Sequence, residues 1–287
     1  MEGNSIPNNT EKITLKLSFK KDLLSLVDIY PPEVLKLVED NENVLLKNYE
    51  AWQKVLVVFS EKLGIKDVDV NEIPNKLERV TFEQVQETLL EKKIKKIIFG
   101  IAGPGAVGKE TIKNDLGFEM VVNTTTRLKR NYEKNNKHYH FVNIPQFKEI
   151  ESQNGFVVSM ERPGRGSYGI SKKDIKNVLS TADVVMIEEN PENLAKLDDY
   201  LKTNDLGKLI LVYILPPSPI LLHLAARLAG RCQKTGENFK SAITSTLGIR
   251  QLNEFNSILD SIRNGRNVVF VVNDNEKRAT ARIKTLI

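Results

Sequence analysis

Gly103, Gly108 and Lys109 stand at the spacing glycine, four residues, glycine, lysine within the run Gly103-Pro104-Gly105-Ala106-Val107-Gly108-Lys109-Glu110-Thr111. This is the P-loop frame. Its glycines let backbone N–H groups curl around phosphate oxygens, and a following helix N-terminus adds positive potential. Lys109 is placed to neutralise β- and γ-phosphates. The residue after the lysine is normally Ser or Thr, whose hydroxyl ligates Mg²⁺. Here it is Glu110, a carboxylate that ligates Mg²⁺ directly but also brings negative charge beside a polyphosphate. Thr111 comes one residue late and points elsewhere.

A second cluster runs from Asn123 through Thr124, Thr125 and Thr126 to Arg127 and Arg130, followed by Glu133 and Tyr139. Arginines three apart, flanked by hydroxyls, grip a phosphate through forked hydrogen bonds. Beside a P-loop, a second phosphate grip implies a phosphoryl acceptor. A third run, 166–172, carries Tyr168 between glycines. An apolar stretch then ends in Glu188 and Glu189, and an acid at a strand end there orders Mg²⁺ and its waters. Farther on, Leu215-Pro216-Pro217-Ser218 precedes Arg227 and Arg231. Four apart on one helical face, these arginines are expected to reach a transferring phosphoryl group.

Something must hold these groups in place. Apolar runs at 97–101, 120–122, 184–187, 209–215 and 268–272 read as buried parallel strands. Helical spacing fills 172–179, 192–202, 220–228 and 239–262. Strands alternating with helices predict an α/β fold, a parallel sheet with helices on both faces. Ahead of it, alternation at 12–19 predicts a short strand. Helical spacing follows from Val34 to Phe59, ending near Gly64, and again from Thr81 to Leu90. The basic run Lys92-Lys93-Ile94-Lys95-Lys96 marks the change. The expected division is a small, mainly helical region over 1–93 and the α/β unit over 94–287.

The bulk properties agree with a globular protein. The 287 residues are 40% hydrophobic and 28% charged, which excludes a disordered, collagen-like or coiled-coil chain. One cysteine, Cys232, excludes a disulfide framework and a Cys-built zinc site. No secretory signal and no membrane span are expected, so the protein is read as cytoplasmic. Residues 1–95 carry 14 Lys/Arg against 17 Asp/Glu, and the rest carry 28 against 20. A basic C-terminal portion implies phosphate-bearing ligands.

In order and spacing, residues 96–287 resemble the guanylate kinase family. GPGAVGK resembles its P-loop and TTTRLKRNYE, with Tyr139, its acceptor-phosphate segment. SYGISK is similar to its Tyr-Gly-Ser/Thr turn, and ILPPS with RLAGR to its strand and arginine-bearing lid. VVND at 271–274 is similar to its closing strand. The resemblance implies a P-loop nucleoside monophosphate kinase fold and phosphoryl transfer from ATP to GMP or a related monophosphate, with Mg²⁺. Carried over, residues 103–111 with Lys109 hold the donor phosphates. Arg127, Arg130, Tyr139 and Tyr168 hold the acceptor phosphate, and Glu133 positions that site. Arg227 and Arg231 stabilise the transferring group, and Glu110 and Glu188 are the expected metal ligands. Base reading falls to Asn123, to Val158 or Ser159, and to Ile170, with Glu161 a candidate substitute. A third lid arginine of the family is Thr246 here. The alternatives are a guanylate-kinase-like binding module and a kinase of another phosphorylated acceptor, such as a ribose bisphosphate. No nucleic-acid partner is expected. The 1–93 region lies outside the resemblance and is a candidate site for an unknown protein partner.

Overall fold

The computed structural model describes residues 9–66, 68–90, 96–130, 133–162, 164, 166–247 and 249–287. Four helices come first: α1 (Asn9–Leu24), α2 (Pro32–Asp40), α3 (Glu42–Lys62) and α4 (Ile73–Leu90). Then follow β1 (Ile97–Ala102), α5 (Lys109–Leu116), β2 (Glu119–Met120), β3 (Thr124–Thr125), β4 (His140–Phe141), α6 (Ile144–Ser152), β5 (Phe156–Arg162) and β6 (Gly166–Ser171). The chain closes with α7 (Lys172–Thr181), β7 (Val184–Glu188), α8 (Pro191–Thr203), β8 (Lys208–Leu215), α9 (Ile220–Thr235), α10 (Phe239–Thr246), α11 (Ile249–Arg263), β9 (Asn267–Val272) and α12 (Glu276–Lys284).

The five apolar runs are the five strands of a parallel sheet, ordered β2-β7-β1-β8-β9. In it β1 is central, with Ile98 opposite Val185 on one side and Leu209 on the other. Every residue of β1 and β9 is buried, as strands covered on both faces require. A second, four-stranded sheet, β4-β3-β6-β5, was not legible as apolar runs. Its strands β3 and β4 have two residues each, and β5 and β6 mix polar with apolar positions.

The strand expected at 12–19 is instead part of α1. Phe19 and Leu23, four apart, are buried while Leu17 and Leu24 are exposed, a helical repeat rather than an alternation. Residues 239–262 form two helices, not one, with the first capped at Leu247. The basic run at 92–95, and with it the boundary expected at 93/94, lies outside the described residues.

The N-terminal helices share the core of the sheet. Phe59 of α3 meets Phe255 of α11 and Phe270 of β9 edge-to-face at 5.3 and 5.4 Å, and Trp52 meets Phe255 at 5.8 Å. Helix α4 lies along β9, the edge strand. Thr81 Oγ1 accepts from the Phe270 N–H and Glu78 Oε1 from the Val272 N–H, both at 3.0 Å. Two side chains thus satisfy donors that a further strand would otherwise take.

Candidate functional site: a phosphate cradle facing an arginine–tyrosine cluster

The loop between β1 and α5 has little room. A Cβ on Gly103 would lie 2.5 Å from the Ile214 carbonyl oxygen of β8. Gly108 has φ +97°, and a Cβ there would lie 2.5 Å from Asn273 Nδ2. Glycine is required at both positions. Thr246 packs its methyl on the loop tip, where a Cβ on Gly105 would approach it to 2.2 Å. Helix α5 begins at Lys109, so its N-terminal amides and positive dipole end face the loop.

Lys109 Nζ donates to the carbonyls of Gly103 at 2.8 Å and Pro104 at 3.0 Å, with Glu188 Oε1 at 3.9 Å. Burial pulls its pKa down, and the charges of Glu188 and Glu254 pull the other way. An arriving phosphate would supply the negative charge this ammonium lacks. Thr111 is exposed.

The structure seats Arg227 on the loop's backbone. Its Nη1 donates to the Val107 carbonyl at 2.9 Å and its Nη2 to the Asn273 carbonyl at 2.7 Å. Asn273 Nδ2 donates to the same Val107 carbonyl at 2.7 Å. Arg227 Nε donates to the Tyr30 hydroxyl at 3.4 Å, and that hydroxyl lies 2.9 Å from His223 Nδ1. Burial, and then the Arg227 charge, push the His223 pKa down to about 4, against a hydrogen bond to the Ser218 backbone. The imidazole is therefore neutral at physiological pH. The Tyr30 hydroxyl thus accepts from Arg227 and shares a hydrogen bond with His223 Nδ1. A side chain of the N-terminal helical region thereby reaches the P-loop through one arginine. Arg231 pairs with Glu237 at 3.1 Å on the surface.

Across the sheet, Arg127, Glu133, Tyr139 and Tyr168 come together. Arg127 grips Glu133 with two parallel bonds, Nη1 to Oε2 at 3.0 Å and Nη2 to Oε1 at 2.7 Å. The Arg130 N–H donates to Glu133 Oε2 at 2.8 Å, while the Arg130 side chain is largely exposed. The Arg127 bonds hold the Glu133 carboxyl down at about 2, against its burial. The guanidinium of Arg127 lies over the rings of Tyr139 and Phe141, 5.4 and 5.6 Å from their centroids. Tyr139 and Tyr168 meet at 6.0 Å. Burial, and then the charge of Glu188, raise the Tyr139 pKa, which keeps its hydroxyl a proton donor.

Glu188 and Glu189, at the end of β7, lie between the two halves. Asn123 Nδ2 reaches the Glu188 carbonyl at 3.4 Å and Glu189 Oε2 at 3.2 Å. Burial raises the Glu189 pKa, against its bonds to Asn190 and the charge of Arg162. Arg162 Nη2 lies 3.7 Å from Glu189 and its guanidinium covers the Tyr168 ring at 4.7 Å. Sequence reading missed Arg162, which faces the site only through the β5–β6 register. Strand alternation puts Glu161 on the opposite face of β5 from Arg162, and Glu161 is exposed. Val158 and Ile170 pair across the hairpin and are buried apolar residues, and Ser159 bonds Glu151. Asn123 is thus the polar side chain of the expected base readers that the structure brings to Glu189.

Glu110 and Glu188 were the expected Mg²⁺ ligands. Both pair with Lys113, one turn into α5, which lies 2.7 Å from Glu110 Oε2 and in direct contact with Glu188 Oε2. Among the described residues, no three His, Cys, Asp or Glu side chains converge on one point. The carboxylates as arranged do not fit a resident divalent ion.

The family model for guanylate kinase matches residues 94–263, more than half of the chain. The guanylate kinase of Shewanella denitrificans is 27% identical over 197 residues, 66% of this chain and 86% of that protein. That of Clostridium acetobutylicum is 28% identical over 201 residues, 67% of this chain and 85% of that protein. A crystal structure of guanylate kinase from Anaplasma phagocytophilum covers 68% of this chain and 85% of its own, at 18% identity and a TM-score of 0.44. Among the described residues, no helix is long and apolar enough to cross a membrane.

Proposed function

The chain belongs to the guanylate kinase family, and on that premise we propose that it transfers the γ-phosphoryl group of ATP to GMP or a related nucleoside monophosphate. One observation carries the reading. A continuous line of contacts runs from Lys109 on the P-loop through Glu188, Asn123 and Glu189 to Arg162, Tyr168 and Arg127. Donor and acceptor phosphates bound at its two ends would meet beyond the C-terminal ends of β1 and β7.

Phosphoryl transfer has a loose transition state, so the protein's work is positioning and neutralisation. The P-loop amides and Lys109 hold the donor phosphates. Arg127, Tyr139 and Tyr168 hold the acceptor phosphate, with Glu133 fixing the guanidinium and Arg130 at the rim. Arg227 holds the loop in shape through Val107, and Arg231 is available at the surface of the same helix. Mg²⁺ brought in with ATP would supply charge neutralisation at the donor phosphates; no step here is assigned to it. The base side offers Asn123, Glu189 and the cation of Arg162 where the family presents a hydroxyl and a carboxylate. Guanine preference is therefore weak, since a site lacking those hydrogen bonds discriminates poorly.

An assay of ADP release across a panel of nucleoside monophosphates and sugar phosphates tests the reading. Turnover is expected with nucleoside monophosphates, with GMP favoured over AMP by less than about 10³ in kcat/KM. ATP binding without turnover on any acceptor supports the binding-module reading, which the commitment of Glu110 and Glu188 to Lys113 favours. Turnover confined to a sugar phosphate supports the third.

A further inference from the structure

Two positions hold a divalent ion in P-loop enzymes, the residue after the loop lysine and the acid at the end of the neighbouring strand. In this chain they are Glu110 and Glu188, and a single ammonium holds both. The side chain of Lys113 is 12% exposed, against 69% for Glu110 and 36% for Glu188. The cation is therefore the enclosed member and the carboxylates surround it. Glu110 and Lys113 are three apart on α5, so helix geometry itself keeps them together. A divalent ion taking both carboxylates would have to expel this ammonium, and would then lie beside it as a like charge.

We propose that Lys113 takes the place of the divalent ion at this P-loop, so that the chain binds ATP as the metal-free polyanion. Lys109 meets the phosphates from the loop side, and Lys113 supplies the second positive centre from within α5. Glu110 and Glu188 hold that centre in position and no longer serve as ligands. The inference rests on the P-loop reading of the proposed function.

The test is calorimetric titration of ATP into the full chain, in excess EDTA and in excess Mg²⁺. The two dissociation constants are expected within about three-fold of each other. Lys113→Met keeps the stem and removes the charge. It is expected to weaken binding in EDTA by about ten-fold or more, the worth of a charged hydrogen bond, and Mg²⁺ is expected to restore the affinity by occupying the released carboxylates. The double variant Glu110→Ser, Lys113→Val restores a hydroxyl ligand and is expected to bind ATP only with Mg²⁺. Wild-type binding that tightens ten-fold or more with Mg²⁺ overturns the inference and leaves the P-loop reading standing. So does Lys113→Met binding as tightly as wild type in EDTA. A folded wild-type chain that binds no ATP in either buffer overturns the P-loop reading and this inference with it. The wild-type comparison needs no variant to fold.

Discussion

Glu133 accepts three hydrogen bonds, two from Arg127 and one from the Arg130 backbone. It is the residue on which the acceptor cluster turns. Its folded pKa is about 2, against an ordinary 4.5. The stability this carboxylate contributes is therefore complete above pH 4.5 and is lost as pH falls towards about 2. Glu133→Gln should be less stable than wild type at neutral pH and should lose the slope of stability against pH across that window. Urea unfolding at a series of pH values checks both. For substrate, Arg127→Ala removes a charged phosphate contact worth about 1.5–3 kcal/mol. The acceptor KM should rise ten-fold or more while ATP affinity holds, and steady-state kinetics with each substrate varied would show it. Most of this cluster was legible, because Arg127, Arg130, Glu133 and Tyr139 lie within one short stretch of sequence. Arg162 was not. Its charge counts only because Met160 pairs with Tyr168 across a hairpin, which no local spacing announces. Lys113 carried a signal that was overlooked, since an acid and a lysine three apart on a helix meet.

Among the elements, the relation of α4 to β9 is the least expected. A helix stands where another strand would extend the sheet, and Thr81 and Glu78 take its edge N–H groups. Glu78 pays for this in burial, which raises its pKa against the Val272 bond and the Arg282 charge, and Arg282 Nη1 answers with a bond at 2.9 Å. Thr81→Val keeps the shape but leaves the Phe270 N–H buried without an acceptor. It should cost about 1–3 kcal/mol, read as a lower urea midpoint with an unchanged m-value. The parallel strands were legible because burial on both faces gives continuous apolar runs. The second sheet was not, since two-residue strands carry no period. The reversal at α1 has the same physical root. Ile13, Leu15, Leu17 and Phe19 alternate over a window too short to separate periods of 2 and 3.6, and Leu23, which decides the matter, lies beyond it.

At the scale of the whole molecule, the chain divides less cleanly than its composition and family match imply. Tyr30 meets Arg227, Phe59 meets Phe270, and Thr81 and Glu78 meet β9. A chain begun at residue 94 would uncover Phe255 and Phe270 and free the β9 edge for pairing with other copies. It should elute as soluble aggregate or precipitate, whereas the full chain should remain discrete; size exclusion with light scattering distinguishes them. A monodisperse 94–287 fragment with a cooperative melt would count against this integration. The α4–β9 joint also has a temporal side. Its two bonds join residues 189 and 194 positions apart. The first helices leave the ribosome long before their partner strand exists, by about 10–40 s at 5–20 residues per second. For that interval their apolar faces have only each other to cover them. Closure of so long a loop is slow in its own right. Nascent chains of this protein should therefore lean on holdase chaperones until the last strand emerges, and the fold completes at its two ends together.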